Sequence, residues 1–290
     1  MSAWFAGNLI IIQTVMVYAV LALSFQVVLR AGVFSFASVG FFGLGAYAVA
    51  VMTLHGIPGW LALVIALVGA GVLGMLLGFV LRKLRGLYLG LFTIAFDLVL
   101  NVLYKNGGTL TGATTGLFGV PEVVPLWGLL LIVLLAVAAV WRLSRGSVGR
   151  SSEALRLNEH LARSVGIEVT RRRTFIFAFS AVLGAAAGAM NVSVFTTVSP
   201  SSAGFGLVTL GITMVVLGGM ASWQGALIGA IFVAWLPAWL GPLQQYQLIV
   251  NGLIIVVIVV LAPDGLVGIV SRLVRGTRDR RARESIGATE

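Results

Sequence analysis

Long apolar runs, separated by short polar segments, occupy most of the 290 residues of this chain. A helix that crosses the hydrocarbon core of a bilayer needs about 20 predominantly apolar residues. Nine runs approach that length, at 8–29, 33–54, 60–81, 86–104, 125–141, 174–193, 206–220, 224–240 and 246–262. The seventh and eighth are short and close together, so they could be two spans or a partly re-entrant pair. The pattern predicts an all-α integral membrane protein, a polytopic bundle of about nine transmembrane helices within residues 1–270.

The basic residues lie in alternate gaps between these runs. They follow the first run at Arg30, the third at 82–85, the fifth within 142–173 and the ninth within 271–290, and Lys105 is the exception. Lys and Arg are enriched in cytoplasmic loops. We therefore predict an N-terminus outside the membrane and a cytoplasmic C-terminus, with a basic and disordered tail at 271–290.

Composition supports a membrane protein and excludes several classes of function. Hydrophobic residues make up 59% of the chain and charged residues 10%, whereas soluble domains carry about 25% charged residues. The absence of cysteine excludes disulfides and thiol catalysis. The two histidines, His55 and His160, have no ligand cluster in the sequence, so we expect no metal or other cofactor. The net charge of +10 is spread between apolar runs, which argues against a nucleic-acid partner.

The sequence offers no machinery for ATP binding. A phosphate-binding P-loop needs Gly-Lys followed by Ser or Thr, but Lys83 follows Arg82 and Lys105 follows Tyr104. Paired carboxylates of the kind that catalysis needs are also missing near a membrane face. Energy for transport would therefore come from a partner, and an enzymatic function is disfavoured.

The longest polar segment, 142–173, has the pattern of a short amphipathic helix at 151–166. Ser151 or Ser152 could cap its start and Gly166 could end it. An apolar stripe recurs at helical spacing: Ala154, Leu157, Leu161, Ala162 and Val165. Such a helix could lie on the lipid surface. Alternatively, it could dock its stripe in a groove of a cytoplasmic partner.

Polar residues inside the apolar runs are candidates for a solute pathway. Asp97 would be costly in lipid and should face protein or water, and Asn101 lies one turn further along the same face. Asp97 could serve an interior polar site, a proton relay or a hydrogen bond between helices. Ser35 and Ser38 offer hydroxyls in a glycine-rich run at 32–47, whose glycines suit either a pathway or close helix packing.

Two further patterns have alternative interpretations. The segment 111–116 is rich in glycine and threonine, and it could be a docking surface, an outer gate or a plain turn. Glycine pairs four residues apart at 74–78, 184–188 and 225–229 favour close packing of helices or of subunits.

Several motifs, taken in order, resemble one family. Arg156, Glu159, Ala162 and Gly166 match the form Arg-x-x-Glu-x-x-Ala-x-x-x-Gly, which is similar to the coupling loop of ABC importer permeases. Further segments resemble LivM-type permeases for branched-chain amino acids, at 32–47, 85–89, 93–96, 110–121, 199–202, 215–220 and 262–266.

The resemblance implies an inner-membrane, multi-pass permease subunit that forms half of a translocation pathway. It implies a second, LivH-like permease subunit, two ATPase subunits, an extracytoplasmic solute-binding protein and surrounding membrane lipid as partners. The implied ATPase-coupling residues are Arg156, Glu159, Ala162 and Gly166. The implied pathway residues are Gly32, Ser35, Ser38, Gly43, Gly45, Tyr47, Asp97 and Asn101. The outer-loop residues are Thr111, Gly112, Thr114, Thr115 and Gly116.

Two alternatives stay open. The chain could be a secondary transporter driven by an ion gradient, with Asp97 as its coupling site. The substrate could be urea or a short amide instead of a branched-chain or other small hydrophobic amino acid.

Overall fold

The computed structural model describes residues 2–157, 159–220 and 222–240, together with the single positions 249, 252, 253 and 265. The predicted ninth span, 246–262, lies outside the described residues except at three of those positions. The predicted tail, 271–290, and all but one residue of the motif at 262–266 also lie outside them. The count of nine spans and the sidedness of the termini stay predictions.

The described residues form ten α-helices and one very small sheet. The helices are α1 (Ser2–Arg30), α2 (Ser38–Leu54), α3 (Gly59–Val80), α4 (Gly86–Asn106), α5 (Leu126–Arg145), α6 (Ser147–Leu157), α7 (Glu159–Ser164), α8 (Val169–Phe195), α9 (Phe205–Gly218) and α10 (Trp223–Leu240). The strands β1 (Leu117–Phe118) and β2 (Thr197–Val198) pair antiparallel, with Leu117 opposite Val198. Short 3-10 turns occur at Leu81–Lys83, Gly108–Leu110 and Pro200–Ala203.

Membrane-spanning character is confirmed by helix length and composition. Among the described residues, five helices are long and apolar enough to cross a bilayer: α1 from Gly7 onward, α3, α4, α5 and α8. Three shorter apolar helices, α2, α9 and α10, complete the bundle. Each of the first eight predicted runs therefore contains a helix, and the seventh and eighth are the separate helices α9 and α10.

The central helix of the bundle is α8, which packs against α1, α2 and α3. Small residues allow these close contacts, because a Cβ atom at Gly184 would lie 2.7 Å from the Ser38 carbonyl oxygen. A Cβ at Gly74 of α3 would lie 2.5 Å from the Cβ of Ala181. The glycine pairs in α3 and α8 thus serve helix packing within the chain. Gly225 and Gly229 do the same in α10, against the backbone of α9.

The length of the second apolar run, 33–54, suggested one continuous helix. The structure does not have a helix over the whole run. Helix α2 begins at Ser38, and residues 33–37 are not helical. Gly32 takes a left-handed φ of +70°, which turns the chain after α1. The Ser35 hydroxyl then accepts a hydrogen bond from the Ala37 N–H at 3.3 Å, a local bond that competes with helix. We call residues 31–37 the α1–α2 connection.

The helix predicted within the loop 142–173 begins earlier than predicted, at Ser147. The proposed capping role of Ser151 and Ser152 is wrong, because both lie inside α6 and their hydroxyls donate to the carbonyls of Ser147 and Val148. The helix restarts as soon as the extended backbone at Gly146 has ended α5. The predicted stop at Gly166 is confirmed: its φ is +80°, and the following Ile167 N–H bonds back to the Ala162 carbonyl at 3.0 Å.

Candidate functional site

The start of α2 lies inside the bundle. The Ser38 hydroxyl is 2.9 Å from that of Ser24, and Ser24 stands six residues before the end of α1 at Arg30. At the helical rise per residue, this places the start of α2 roughly 9 Å inside that end. Non-helical backbone at such depth is tolerated only where protein or a water-filled cavity surrounds it. The α1–α2 connection therefore needs hydrogen-bond partners from the rest of the chain.

Side chains of α4 supply two of those partners. The Phe36 N–H donates to the Thr93 hydroxyl at 3.0 Å, and the Gly40 N–H donates to the Asp97 carboxylate oxygen Oδ1 at 2.9 Å. Gly40 lies in the first turn of α2, where N–H groups lack intrahelical partners and the helix dipole favours a negative charge. Asp97 thus forms the hydrogen bond between helices that was one of its three predicted roles.

Three serine hydroxyls join α1, α2 and α8 at the same depth. Ser24 donates to the Ser180 carbonyl at 2.8 Å, and Ser180 donates to the Ser24 carbonyl at 3.0 Å. The Ser38 hydroxyl lies 3.2 Å from that of Ser180. All three side chains are buried. Ser38 therefore lies in the contact between helices, next to the start of α2.

Further along, α2 packs against α4 through aromatic rings. The rings of Tyr47 and Tyr104 stack with centroids 4.2 Å apart. Gly43 makes room for them, because a Cβ there would lie 2.9 Å from the Tyr104 ring. Both hydroxyls are buried and have no hydrogen-bond partner among the described residues. Gly45 faces the other way, against the backbone of Ala185 in α8.

A cavity of about 250 Å³ separates α4 from the start of α9. One face of α4 and the turn that leads into α9 line it: Ile94, Asp97, Leu98, Asn101, Lys105, Pro200, Ser201, Ala203, Gly204, Phe205 and Val208. The Asn101 amide nitrogen donates to the carbonyls of Pro200 and Ala203, which holds that turn against α4. The cavity brings together two predicted pathway residues, Asp97 and Asn101. Other predicted pathway residues, Gly32, Ser35, Ser38 and Gly45, lie around the α1–α2 connection and α8.

The Asp97 carboxylate is the unusual group of this cavity. The residue is 6% exposed. Its Oδ1 atom bonds Gly40, while Oδ2 is buried and has no hydrogen-bond partner among the described residues. A buried polar atom without a partner carries a free-energy cost of about 1–3 kcal/mol, and more for a charged group. The site can therefore accept a hydrogen-bond donor or a cation.

Helix α6 contacts the α1–α2 connection directly. A Cβ at Gly32 would lie 2.9 Å from the Arg156 Cα, so α6 rests on the first residues of the connection. Arg30 of α1 donates to the Ser144 hydroxyl near the end of α5 at 2.7 Å. One of the predicted coupling residues, Arg156, is thus in contact with the segment that leads to Asp97 and the cavity.

The two faces of α6 and α7 differ in burial. Leu155, Ala162 and Val169 form a buried cluster against the bundle. Leu157 and Val165 are 78% and 72% exposed. The single apolar stripe predicted from the sequence is therefore wrong in part, because Ala162 turns inward while Leu157 and Val165 face outward. The side chains of Glu159 and Leu161 lie outside the described part of the chain.

The segment 111–116, predicted to be an outer loop, forms an ordered turn next to the small sheet. The Thr111 hydroxyl donates to the Tyr104 carbonyl and the Thr115 hydroxyl to the Gly112 carbonyl, both at 2.7 Å. Gly112 and Gly116 have φ angles of +70° and +87°, as tight turns require. Thr114 is exposed. None of these residues lines the cavity next to Asp97.

Sequence reasoning missed several residues of this region: Ser24, Thr93, Tyr104 and Ser180. A signal was available for two of them. Thr93, Asp97, Asn101 and Tyr104 recur at spacings of four, four and three residues along an otherwise apolar helix, which places them on one face. Ser24 and Ser180 gave no such signal, because isolated serines are common in membrane helices and their contact spans 156 residues of sequence.

Comparison with known proteins places these features in a family context. Residues 8–262 match the family model described as the permease component of the branched-chain amino acid transport system. The permease protein LivM of the high-affinity branched-chain amino acid transport system is similar, with 29% identity in Escherichia coli K12 and 28% in Salmonella typhimurium LT2. Both alignments cover 90% of this chain and 70% of the relative.

A more distant similarity involves a permease named for another solute. The ribose import permease protein RbsC of Bacillus subtilis is 31% identical over 56% of this chain and 54% of its own length. No solved structure matches the chain significantly.

Proposed function

The chain belongs to the family of permease components of branched-chain amino acid transport systems, and from that membership we propose that it forms half of the solute pathway of an ABC importer. It is a multi-pass protein of the inner membrane and a transport subunit. We extend the described helices to nine spans, with the N-terminus outside and the C-terminus in the cytoplasm. The basic residues of the loop 142–173 support that orientation.

The observation that carries this proposal is the two-faced packing of α6 and α7. Leu155 and Ala162 anchor them to the bundle, while Leu157 and Val165 project outward. Leu157 ends α6 and Val165 directly follows α7, and exposed large apolar side chains on such short helical segments suit a groove of a protein partner. The partner that a bundle without a P-loop needs is an ATPase.

The contact between α6 and Gly32 supplies a route for the coupling. Closure of two ATPase subunits around ATP would push on α6 and α7. Arg156 would then press on Gly32 and the α1–α2 connection. Because Gly40 of α2 is hydrogen-bonded to Asp97, movement of the connection would reach the cavity beside α4. The pathway would switch from outward to inward access.

The other partners follow from the same proposal. A second, LivH-like permease subunit would complete the pathway, and an extracytoplasmic solute-binding protein would deliver the solute. The exposed Thr114 and the ordered turn 111–116 offer this protein a firm surface at the outer end.

The proposed substrates are branched-chain or other small hydrophobic amino acids. The two LivM relatives support them, because their alignments cover 90% of the chain. The alignment with the ribose permease covers 56%. Urea and short amides are the alternative substrates, and transport assays with each would separate the classes.

A secondary transporter driven by an ion gradient is the second candidate function. Its coupling site would be Asp97, whose Oδ2 atom has no partner among the described residues. The position of Oδ1 against the start of α2 gives this carboxylate a structural role as well. The ABC importer remains the better supported function, because it also accounts for α6 and α7.

The test compares alanine substitutions at two glycines whose positive φ angles would strain an alanine to the same degree. Gly166 ends α7 with φ +80°, and Gly56 follows α2 with φ +84°. An added Cβ would meet no atom within 4 Å at either position. Gly166→Ala should strain the backbone of the coupling loop next to α7. Gly56→Ala should impose the same local backbone strain far from α6 and α7.

We expect Gly166→Ala to lower ATP-driven leucine uptake by the reconstituted transporter about tenfold or more, because in enzymes a distant substitution that displaces a working contact by about 1 Å can cost about a hundredfold in rate. Gly56→Ala should leave uptake near the level of the unmodified chain. Equal uptake by the two variants would contradict the proposed coupling.

A further inference from the structure

The cavity between α4 and α9 combines an acidic and a basic lining residue. Asp97 and, eight residues later on α4, Lys105 both line it, together with Gly204 and Phe205 at the start of α9. Resting on the proposed import of amino acids, we propose that this cavity binds an α-amino acid as its zwitterion. The ammonium group would bind Asp97, the carboxylate would bind Lys105 and the N-terminus of α9, and the aliphatic side chain would fill the apolar part.

The ammonium end follows from the state of the Asp97 carboxylate. Oδ1 already accepts the Gly40 N–H, so Oδ2 is the atom left for a ligand. Since the residue is 94% shielded by the fold, with 6% of its surface exposed, bulk water does not compensate that oxygen. A charged donor such as an ammonium group is the partner that a buried carboxylate oxygen favours most.

The carboxylate end follows from Lys105 and helix α9. Lys105 stands eight residues after Asp97, about 12 Å along the helix axis, and its flexible stem lets the ammonium reach back toward the cavity. Helix α9 begins at Phe205, directly after Gly204, and both residues line the cavity. The first turn of a helix presents N–H groups without intrahelical partners and a positive dipole end. In membrane transporters such helix ends bind the anionic group of a substrate.

Much of the remaining lining is apolar. Ile94 and Leu98 of α4 and Phe205 and Val208 of α9 contribute apolar side chains to it. The volume of about 250 Å³ lies just below the range of roughly 300–1,000 Å³ that holds drug-sized ligands. It therefore suits one small molecule with an aliphatic group.

Opposite charges in the lining, at Asp97 and Lys105, select against neutral solutes. Ribose or urea in this cavity would leave both Asp97 and Lys105 without a charged partner. A site whose polar groups are left unpaired rejects such a ligand strongly. The cavity thus favours an amino acid over the sugar that names one of the relatives, the ribose permease.

The test uses a cysteine as a reporter inside the cavity. The chain contains no cysteine, so Ser201→Cys places one thiol at an exposed position of the lining. Thr115→Cys, in the outer turn, is the control. The assembled transporter is reconstituted without its binding protein, and the rate at which a small maleimide labels this subunit is measured with leucine, leucinol, isocaproate or ribose present.

Leucine at ten times its Kd should slow labelling of Ser201→Cys about elevenfold, since the ligand-free fraction of the protein is 1/(1 + [L]/Kd). Leucinol lacks the carboxylate and isocaproate lacks the amine, so each should protect less at the same concentration. Ribose should not protect, and labelling of Thr115→Cys should not respond to any of the four.

Two substitutions assign the ends of the ligand. Asp97→Asn keeps an oxygen for the Gly40 N–H and removes the charge, so it should abolish the advantage of leucine over isocaproate. Lys105→Gln should abolish the advantage of leucine over leucinol. A purely structural role for either residue would change protection by all ligands alike.

The proposal is overturned if no ligand protects Ser201→Cys, if ribose protects as well as leucine, or if both substitutions leave these ratios unchanged. Leucine uptake by the same proteoliposomes with binding protein and ATP separates this result from the proposed function. ATP-driven uptake without protection would remove the site and keep the function. Protection without ATP-driven uptake would keep the site and remove the function.

Discussion

At the scale of single residues, the main problem of this chain is the backbone of the α1–α2 connection. Apolar runs predict helices because a helix satisfies its own N–H and C=O groups in lipid. Residues 33–37 are not helical and so cannot satisfy their own N–H and C=O groups in this way. Instead, Ser35, Thr93 and Asp97 accept hydrogen bonds from the connection and from the start of α2. Asp97 stood out in the sequence because a carboxylate in an apolar helix costs free energy. In the structure, this carboxylate accepts a hydrogen bond from the first turn of α2.

This role predicts that Asp97→Ala and Asp97→Asn differ in stability. Alanine leaves the buried Gly40 N–H without an acceptor, so we expect a loss of about 1–3 kcal/mol. Asparagine keeps an acceptor oxygen in the same place and should lose clearly less. Thermal unfolding of the purified chain in detergent measures both. Equal melting temperatures for the two variants would mean that the hydrogen bond to Gly40 contributes little.

At the scale of elements, the presence of the helices was predictable from the sequence, whereas several of their boundaries were not. Apolar length located the first eight helical runs, because the bilayer fixes how many residues a span needs. Apolar length failed at Ser38, where α2 begins, and the expected serine cap failed at Ser147, where α6 begins. The start of each helix depends on the backbone at Gly32 and at Gly146, and hydrophobicity does not report backbone angles. The inward turn of Ala162 depended on contacts with Leu155 and Val169, which the sequence pattern did not specify.

The exposed face of α6 predicts a specific loss of ATPase binding. Leu157 is 78% exposed on α6, and Leu110 is 60% exposed at the opposite end of the molecule. Leu157→Ser should reduce co-purification of the ATPase subunit with this chain, because it removes apolar area from the proposed docking face. Leu110→Ser removes the same side chain elsewhere and should have no effect. If the two variants retain the ATPase equally well, α6 is not the docking face.

At the scale of the whole molecule, charge and apolar length together predicted a sided membrane bundle, but the cavity could not be predicted. Asp97 and Asn101 were recognised on one helical face. The Asn101 amide contacts the carbonyls of Pro200 and Ala203, about a hundred positions away, and neither local sequence pattern predicts this contact. The proposed function rests on the family relationship. The cavity and the contact between Arg156 and Gly32 were found only in the structure.

The orientation predicts where single cysteines react. Thr115 and Val165 are exposed and lie at opposite ends of the bundle, since the length of α5 separates the turn 111–116 from α6 and α7. In intact cells stripped of the outer membrane, an impermeant thiol reagent should label Thr115→Cys rapidly and Val165→Cys only after the membrane is opened. The reverse order would invert the topology, and it would place the basic loop 142–173 outside.

The central claim is that a nucleotide cycle in partner subunits powers this bundle. The most direct measurement is leucine uptake by proteoliposomes that hold the complete transporter and its binding protein, with ATP on the ATPase side and ionophores that abolish all ion gradients. We predict uptake that continues under these conditions and stops when a non-hydrolysable ATP analogue replaces ATP. Uptake that persists without ATP and collapses with the ionophores would contradict the account and favour a gradient-driven carrier that uses Asp97.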